Sequence, residues 1–388
     1  MPEVVRSALK KSPLFKLFLS ANAWRTRRTF LSLLDQIPPG REPLPGPRQA
    51  LCALQGQRRR LSEVPRVVAF GHKSWEQHGL WPSFRRLSEF SLVEVGAPGG
   101  RWSEAQRVAA GRRLLSAVQG LDRERPVELV FFYCGSEFID PQMLRELAAR
   151  GIWTAIMNLD DKHAFHLRRQ FGMTYGQVQV APLADLYWTT WRAGAHVVAQ
   201  VGGRPWYAPE GADPEFHRPL ELERDIEVLF LGARYGDRQR TVDYLRRRGF
   251  DVQAYGRGWP NGFVSFQQTV ELFSRARVVL GVGQVGQMPQ LQHLKGRDFE
   301  VPMCGALYLT SYNPELADWF DIGREVLCYS SLENCAETLH WILRRPDQQQ
   351  AIRDAALARS LRQHTWEHRL RQMLGLLAPA DAESGSGR

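Results

Sequence analysis

Ile226-Glu227-Val228-Leu229-Phe230-Leu231-Gly232-Ala233-Arg234-Tyr235-Gly236-Asp237-Arg238 is the stretch whose reading decides the fold. Five of its first six residues are apolar, which suits a short strand buried in a parallel sheet. Gly232 ends the strand, residues 237–248 have helical spacing, Gly249 closes that helix, and residues 250–255 read as the next strand. Strand, helix and strand at this pitch form the unit of a doubly wound α/β domain. Further units follow at 269–275, 278–282, 298–304, 307–310 and 326–329. Helical spacing at 332–343 and 347–361 closes the domain, and 365–377 forms a last helix.

Upstream the same rhythm has already run once. Strand-like runs at 64–70, 92–95, 127–133, 152–158 and 186–190 alternate with helical stretches at 104–119 and 141–150. Asp140 is placed to cap the second of these, with Pro141 at its first position and Gly151 at its end. The breaker-rich Ala208-Pro209-Glu210-Gly211-Ala212-Asp213-Pro214 separates the two series. The expected fold class is therefore α/β, with two Rossmann-like doubly wound domains facing a cleft. The expected division is 1–62 as an N-terminal helical extension and proline-rich linker, 63–208 and 209–364 as the two domains, and 365–388 as a helix and polar tail.

A chain of 388 residues with 44% hydrophobic content accommodates two such cores. The apolar run at 14–19 is broken by Lys16, well short of a membrane span, and no small-residue cleavage site follows it, so a secretory leader is not expected. Five cysteines without a CxxC spacing fit a reducing cytoplasm. The formal charge of +10 is concentrated at the start: residues 1–60 hold 12 basic against 3 acidic residues, which leaves the body nearly neutral. Nucleic acid is thus not an expected partner. Lys10, Lys11, Lys16, Arg25, Arg27 and Arg28 interleave with Leu14, Phe15, Phe18, Trp24 and Phe30 in the pattern of a basic amphipathic helix. Residues 1–36 either pack on the first domain or dock on an anionic surface at the inner face of the membrane.

Two places after strands suit an anionic ligand. Gly232 lets backbone approach a phosphate, the following helix offers unpaired N–H groups, and Arg234 and Arg238 add charge; the alternative is an ordinary strand-to-helix turn. In Lys295-Gly296-Arg297-Asp298-Phe299-Glu300, Glu300 near a helix start can accept from two neighbouring hydroxyls, as a ribose presents, while Lys295 and Arg297 reach an adjacent phosphate. The alternative there is a solvated Arg297–Glu300 pair. Arginine is abundant, 45 residues against 6 lysines, so Lys295 is the more telling cation. In the first domain, His72 and Lys73 follow the first strand, and Asn158-Leu159-Asp160-Asp161-Lys162-His163 follows another. Asp160, Asp161 and His72 are the candidates to activate an acceptor hydroxyl.

Residues 297–305, Asn313-Pro314-Glu315-Leu316, Gly323-Arg324-Glu325-Val326 and His364-Thr365-Trp366-Glu367-His368-Arg369 together resemble the CgeB or spore-protein-type glycosyltransferases. The resemblance extends to Gly256-Arg257-Gly258-Trp259 and to 232–238, and covers most of 125–375. It implies a GT-B fold akin to glycosyltransferase family 4. The C-terminal domain would bind a UDP- or GDP-sugar and the N-terminal domain a glycan, lipid-linked or protein acceptor. It places Gly232, Arg234, Arg238, Gly256, Trp259, Lys295, Arg297 and Glu300 around the donor, with Glu300 on the ribose. Relatives with this fold often retain anomeric configuration. The related pattern has a glutamate eight positions before Glu300, where this chain has Gln292. The expectation is a hexosyltransferase-like enzyme that needs no metal and no tightly bound cofactor. The alternatives are a DxD-type metal–diphosphate site at 158–160, and a glycan- or nucleotide-binding protein without turnover, for which Gln292 speaks.

Overall fold

The structure, a computed structural model, describes residues 44–96, 102–159, 161–170, 172–285 and 288–378. The expected amphipathic helix within 1–36, Asp160 and the polar tail lie outside the described residues.

The first unit runs β1 (Arg66–Gly71), β2 (Glu89–Glu94), β3 (Leu129–Tyr133), β4 (Trp153–Asn158), a small hairpin of β5 (Arg168–Gln170) and β6 (Met173–Tyr175), then β7 (Leu186–Thr189) and β8 (Pro205–Tyr207). Its six-stranded sheet has the order β2-β1-β3-β4-β7-β8, and every pair is parallel. β1, β3 and β4 are buried along their whole length, as a sheet covered on both faces requires. One face packs Phe132, Leu144 and Ile156; the other packs Trp81, Phe131 and Trp188. The helix Pro141–Ala149 starts as expected, with Asp140 accepting from the N–H of Gln142 and Pro141 in the first turn. The helix Leu80–Leu87 has no counterpart in the sequence reading; its Pro82 sits in the first turn, where its missing N–H costs nothing.

The second unit comprises β9 (Ile226–Leu231), β10 (Val252–Tyr255), β11 (Ala276–Leu280), a hairpin of β12 (Gln284–Val285) and β13 (Met288–Gln292), then β14 (Tyr308–Ser311) and β15 (Leu327–Tyr329). Its parallel sheet has the order β10-β9-β11-β14-β15. In each sheet the chain reverses its direction of winding once, between β1 and β3 and between β9 and β11. Loops at the carboxyl ends of these strands splay apart there and leave a crevice for ligands. His72 follows β1 and Gly232 follows β9, so the two reversal points place both residues at crevices.

The closing helix Trp366–Leu377 does not stay with the unit that precedes it. Trp366, Leu370, Met373 and Leu377 enter the same cluster as Trp81 and Trp188 of the first unit. Ala212 and Thr365 form a parallel bridge where the chain crosses in each direction, with Ala212 N donating to His364 O and Trp366 N to Ala212 O, both at 3.0 Å. The segment before β1 belongs to the first unit too: Arg58 donates from Nε (3.0 Å) and Nη2 (2.8 Å) to the buried Asp185 carboxylate.

Candidate active site

At the end of β9 the backbone turns against the loop after β10. A Cβ at Gly256 would lie 2.5 Å from the Gly232 carbonyl oxygen, and Gly256 has φ of +121°, so only glycine permits this approach. Trp259 closes the turn, its indole N–H donating to Gly232 O at 2.8 Å while its ring packs in the core against Phe230. Arg234 braces the same turn: Nε donates to Gln239 Oε1 (3.0 Å), Nη1 to Gly258 O (3.2 Å), and the guanidinium lies 5.4 Å from the Trp259 ring. Gly256, Trp259 and Arg234 thus shape the loop from behind.

Arg238 and Arg297 form its front. A Cβ at Gly232 would stand 3.3 Å from Nη1 of each, so two guanidinium groups from two different helices converge on one backbone position. Arg238 is buried, stacks 4.0 Å from the Tyr235 ring centroid and donates from Nη1 to Ala233 O at 3.0 Å; its Nε is buried without a partner. No carboxylate forms an ion pair with either arginine among the described residues. Burial lowers the pKa of Arg238, and the neighbouring Arg297 lowers it further. Two like charges held together without a counter-ion attract an anion such as a diphosphate.

On the other side of Arg297, Asp298 accepts from Lys295 N in the turn ahead of the helix, and burial pushes its carboxyl up to about 6. Glu300, half-buried, lies one turn on, with its Oε1 3.8 Å from His217 Nε2. Beside the β14 and β15 ends is a cavity of about 460 Å³, lined by Asp237, Gln284, Gln292, Ser311 and Ser331 among others. The Gln292 side chain is already engaged at its rim: Ser311 Oγ donates to Gln292 Oε1 (2.8 Å) and accepts from Gly283 N (2.9 Å).

The first unit contributes three groups. His72 donates from Nδ1 to the Gly96 carbonyl (3.1 Å) and meets Phe138 edge-on at 5.1 Å, which leaves Nε2 as the proton-accepting nitrogen of the neutral ring. Asp161 is buried, and its Oδ1 accepts from Asn158 Nδ2 and Tyr187 Oη, both at 2.6 Å. This carboxylate is enclosed rather than presented to the crevice. Lys162 was quoted in the sequence without a role, and it spans the two units: Nζ donates to the Gln292 carbonyl, lies 3.8 Å from Glu315 Oε1 and 5.7 Å from the Trp191 ring. Glu315 also accepts from Tyr207 Oη at 2.9 Å and Arg192 N at 3.2 Å, so both units share this carboxylate. The scarcity of lysine among arginines, which singled out Lys295, was the signal available for Lys162 as well, and it was not applied there.

Burial lowers the Lys162 pKa to about 8; Glu315 opposes the shift and Lys295 adds to it. Between about 8 and the ordinary 10.5, the unfolded chain binds the proton that the folded chain has lost, so this residue makes stability rise with pH across that window. Lys162→Met is expected to remove that rise, worth about 1.4 kcal/mol per pH unit at most. Denaturant unfolding of both proteins at pH 8 and pH 10 measures it, and identical slopes would refute the assignment.

Comparison with known proteins bears on the same region. Residues 234–375 match the glycosyl transferase-like family. Among curated proteins none matches. Among solved structures, a glycosyltransferase from Rickettsia africae is similar with a TM-score of 0.58 and 9% identity, over 83% of this chain and 100% of that one. Sucrose-phosphate synthase from Thermosynechococcus elongatus is similar with a TM-score of 0.55 and 11% identity, over 80% and 98%. HepE from Anabaena, solved with UDP and glucose, is similar with a TM-score of 0.53 and 10% identity, over 80% and 99%. Likeness at these identities establishes architecture. The chain has the GT-B fold, and residues 234–375 are similar to the glycosyl transferase-like family.

Proposed function

We propose that this protein transfers a hexosyl group from a nucleoside-diphosphate sugar to an acceptor hydroxyl of an envelope or surface glycan, lipid or protein. The observation that carries the reading is the convergence of Arg238 and Arg297 on Gly232 without a counter-ion, at the crevice where the second sheet reverses. Charge that develops on the departing diphosphate meets these two guanidinium groups, with Lys295 nearby in sequence. Glu300 takes the ribose hydroxyls, and the hydroxyl- and amide-lined cavity beside Gln292 takes the sugar. HepE, solved with UDP and glucose, lends support to a UDP-sugar as donor; GDP-sugar is the other candidate. His72 Nε2 is the group suited to take the acceptor proton, and Asp161 holds the strand end next to Lys162. The anomeric configuration is retained, and NMR of the product tests this. Because the arginines supply the positive charge, turnover continues in EDTA; its loss would favour a metal–diphosphate site at 158–160.

Calorimetric titration with UDP, GDP, dTDP and CMP, repeated on Glu300→Ala, tests the donor site. One diphosphate binds, and Glu300→Ala weakens it by about 1.5–3 kcal/mol, the usual worth of a hydrogen bond to a charged group. Absence of binding to any of them sinks the reading.

The engagement of Gln292 with Ser311 favours a second reading, a nucleotide- or glycan-binding protein without turnover. Release of free sugar or transfer from a donor that binds would exclude it. The protein acts at the inner face of the membrane, where residues 1–36 dock on anionic lipid. Deleting them abolishes binding to anionic liposomes and spares nucleotide affinity; unchanged liposome binding would refute the docking.

A further inference from the structure

The segment that joins the two units lays a histidine against the Glu300 carboxylate. His217 is buried, and its place is set by its own turn: its N–H donates to Asp213 O at 2.7 Å, while Asp213 N donates back to His217 Nδ1 at 3.4 Å. A ring that accepts at Nδ1 carries its proton at Nε2, and that nitrogen faces Glu300 Oε1 at 3.8 Å. Phe266 meets the ring edge-on at 5.1 Å, and Phe266 is itself covered by His78 of the first unit, stacked at 4.0 Å with planes 4° apart. The imidazole is therefore wedged and cannot swing away.

Glu300 needs such a partner. Its Oε1 lies 3.0 Å from where a Cβ at Gly296 would stand, and Glu210 Oε2 lies 3.4 Å from the same point, so two carboxylates crowd one glycine. At 3.8 Å the N–H lies just beyond hydrogen-bond length, so a small rotation of Glu300 engages it; a neutral donor there orients the carboxylate without cancelling its charge, whereas a cation would form an ion pair that competes with any ligand hydroxyl. Burial lowers the His217 pKa, with Glu300 and Asp213 opposing and His78 assisting, so the ring is neutral near pH 7.

Resting on the donor-site reading above, we infer that His217 is the positioning residue that holds Glu300 towards the ribose diol. His217 thereby sets the preference of the site for ribonucleotides over deoxyribonucleotides. A residue with a merely structural role would weaken every ligand alike. A positioning residue acts most on the ligand that carries both hydroxyls and less on one that keeps a single hydroxyl.

The experiment is calorimetric titration of the full chain with UDP and 2′-deoxy-UDP, or with the guanine pair if GDP is the nucleotide that binds. The variants are His217→Leu, His217→Gln, Glu300→Ala and Glu300→Ala with His217→Leu. His217→Leu is expected to reduce the ribose preference about tenfold, with a smaller loss of affinity for the deoxy form than for the ribo form. His217→Gln, which keeps an N–H donor, recovers most of it, and His217→Leu adds nothing once Glu300 is alanine. His217→Phe replaces the leucine variant if that protein does not fold. Equal losses for both ligands, or additive losses in the double variant, overturn the inference. A ribose preference abolished by Glu300→Ala but kept in His217→Leu overturns it alone; a preference that survives Glu300→Ala overturns the donor-site reading as well.

Discussion

Arg297→Ala is expected to weaken nucleoside-diphosphate binding by about tenfold to a hundredfold, the span of a lost hydrogen bond to a charged group, while leaving the fold at least as stable as before. The two halves of this expectation share one cause. Arg238 and Arg297 sit 3.3 Å from a common point at Gly232, and Arg297 is among the charges that lower the pKa of the buried Arg238. Their mutual repulsion is relieved by an anion such as a diphosphate placed between them. Removing the more exposed arginine relieves it permanently, so the melting temperature holds or rises as affinity falls. Arg238→Ala differs, since it also forfeits the stack on Tyr235 at 4.0 Å and the bond to Ala233 O, and loses stability with affinity. Thermal melts with and without UDP distinguish these outcomes. An Arg297→Ala protein that binds normally would remove the convergence as the anion site.

The second unit was legible where neighbouring residues decide the structure. β9 spans 226–231 as read, and the helix that follows covers 238–247 against an expected 237–248, because an apolar run, a glycine and an amphipathic stretch are local signals. The arginines beside Gly232 were legible as a group but not in their division of labour. Whether Arg234 braces the loop or faces the ligand depends on Gly258 and Trp259, more than twenty positions away. Lys162 and His217 were opaque for the same reason, as each acts on a partner in the other half or beyond a strand. The helix 366–377 was predicted from its spacing, yet an amphipathic face does not say which core it will cover.

That helix carries the other large effect. Trp366→Ala is expected to cost about 3–5 kcal/mol, the usual price of deleting a buried aromatic ring. The loss should fall on the first unit although Trp366 follows the second in sequence. Trp366 is 2% exposed and lies 6.2 Å from Trp188. Its ring fills the space left by Gly79, where a Cβ would come within 2.8 Å of the indole. Arg369 next along the helix lies 4.6 Å over Trp319 of the second unit and donates from Nη2 to His364 Nδ1 at 3.2 Å, so the helix is also tied where it leaves. Cutting the tryptophan should therefore loosen the packing of the helix on the first unit, while the tie from Arg369 to the second unit stays in place. Hydrogen exchange resolves this: amides of β1 and β7 should exchange faster in Trp366→Ala, and those of β9 and β11 at their former rate. Equal acceleration in both sheets would show instead that the two units unfold as one, with the crossover helix shared between them rather than belonging to the first.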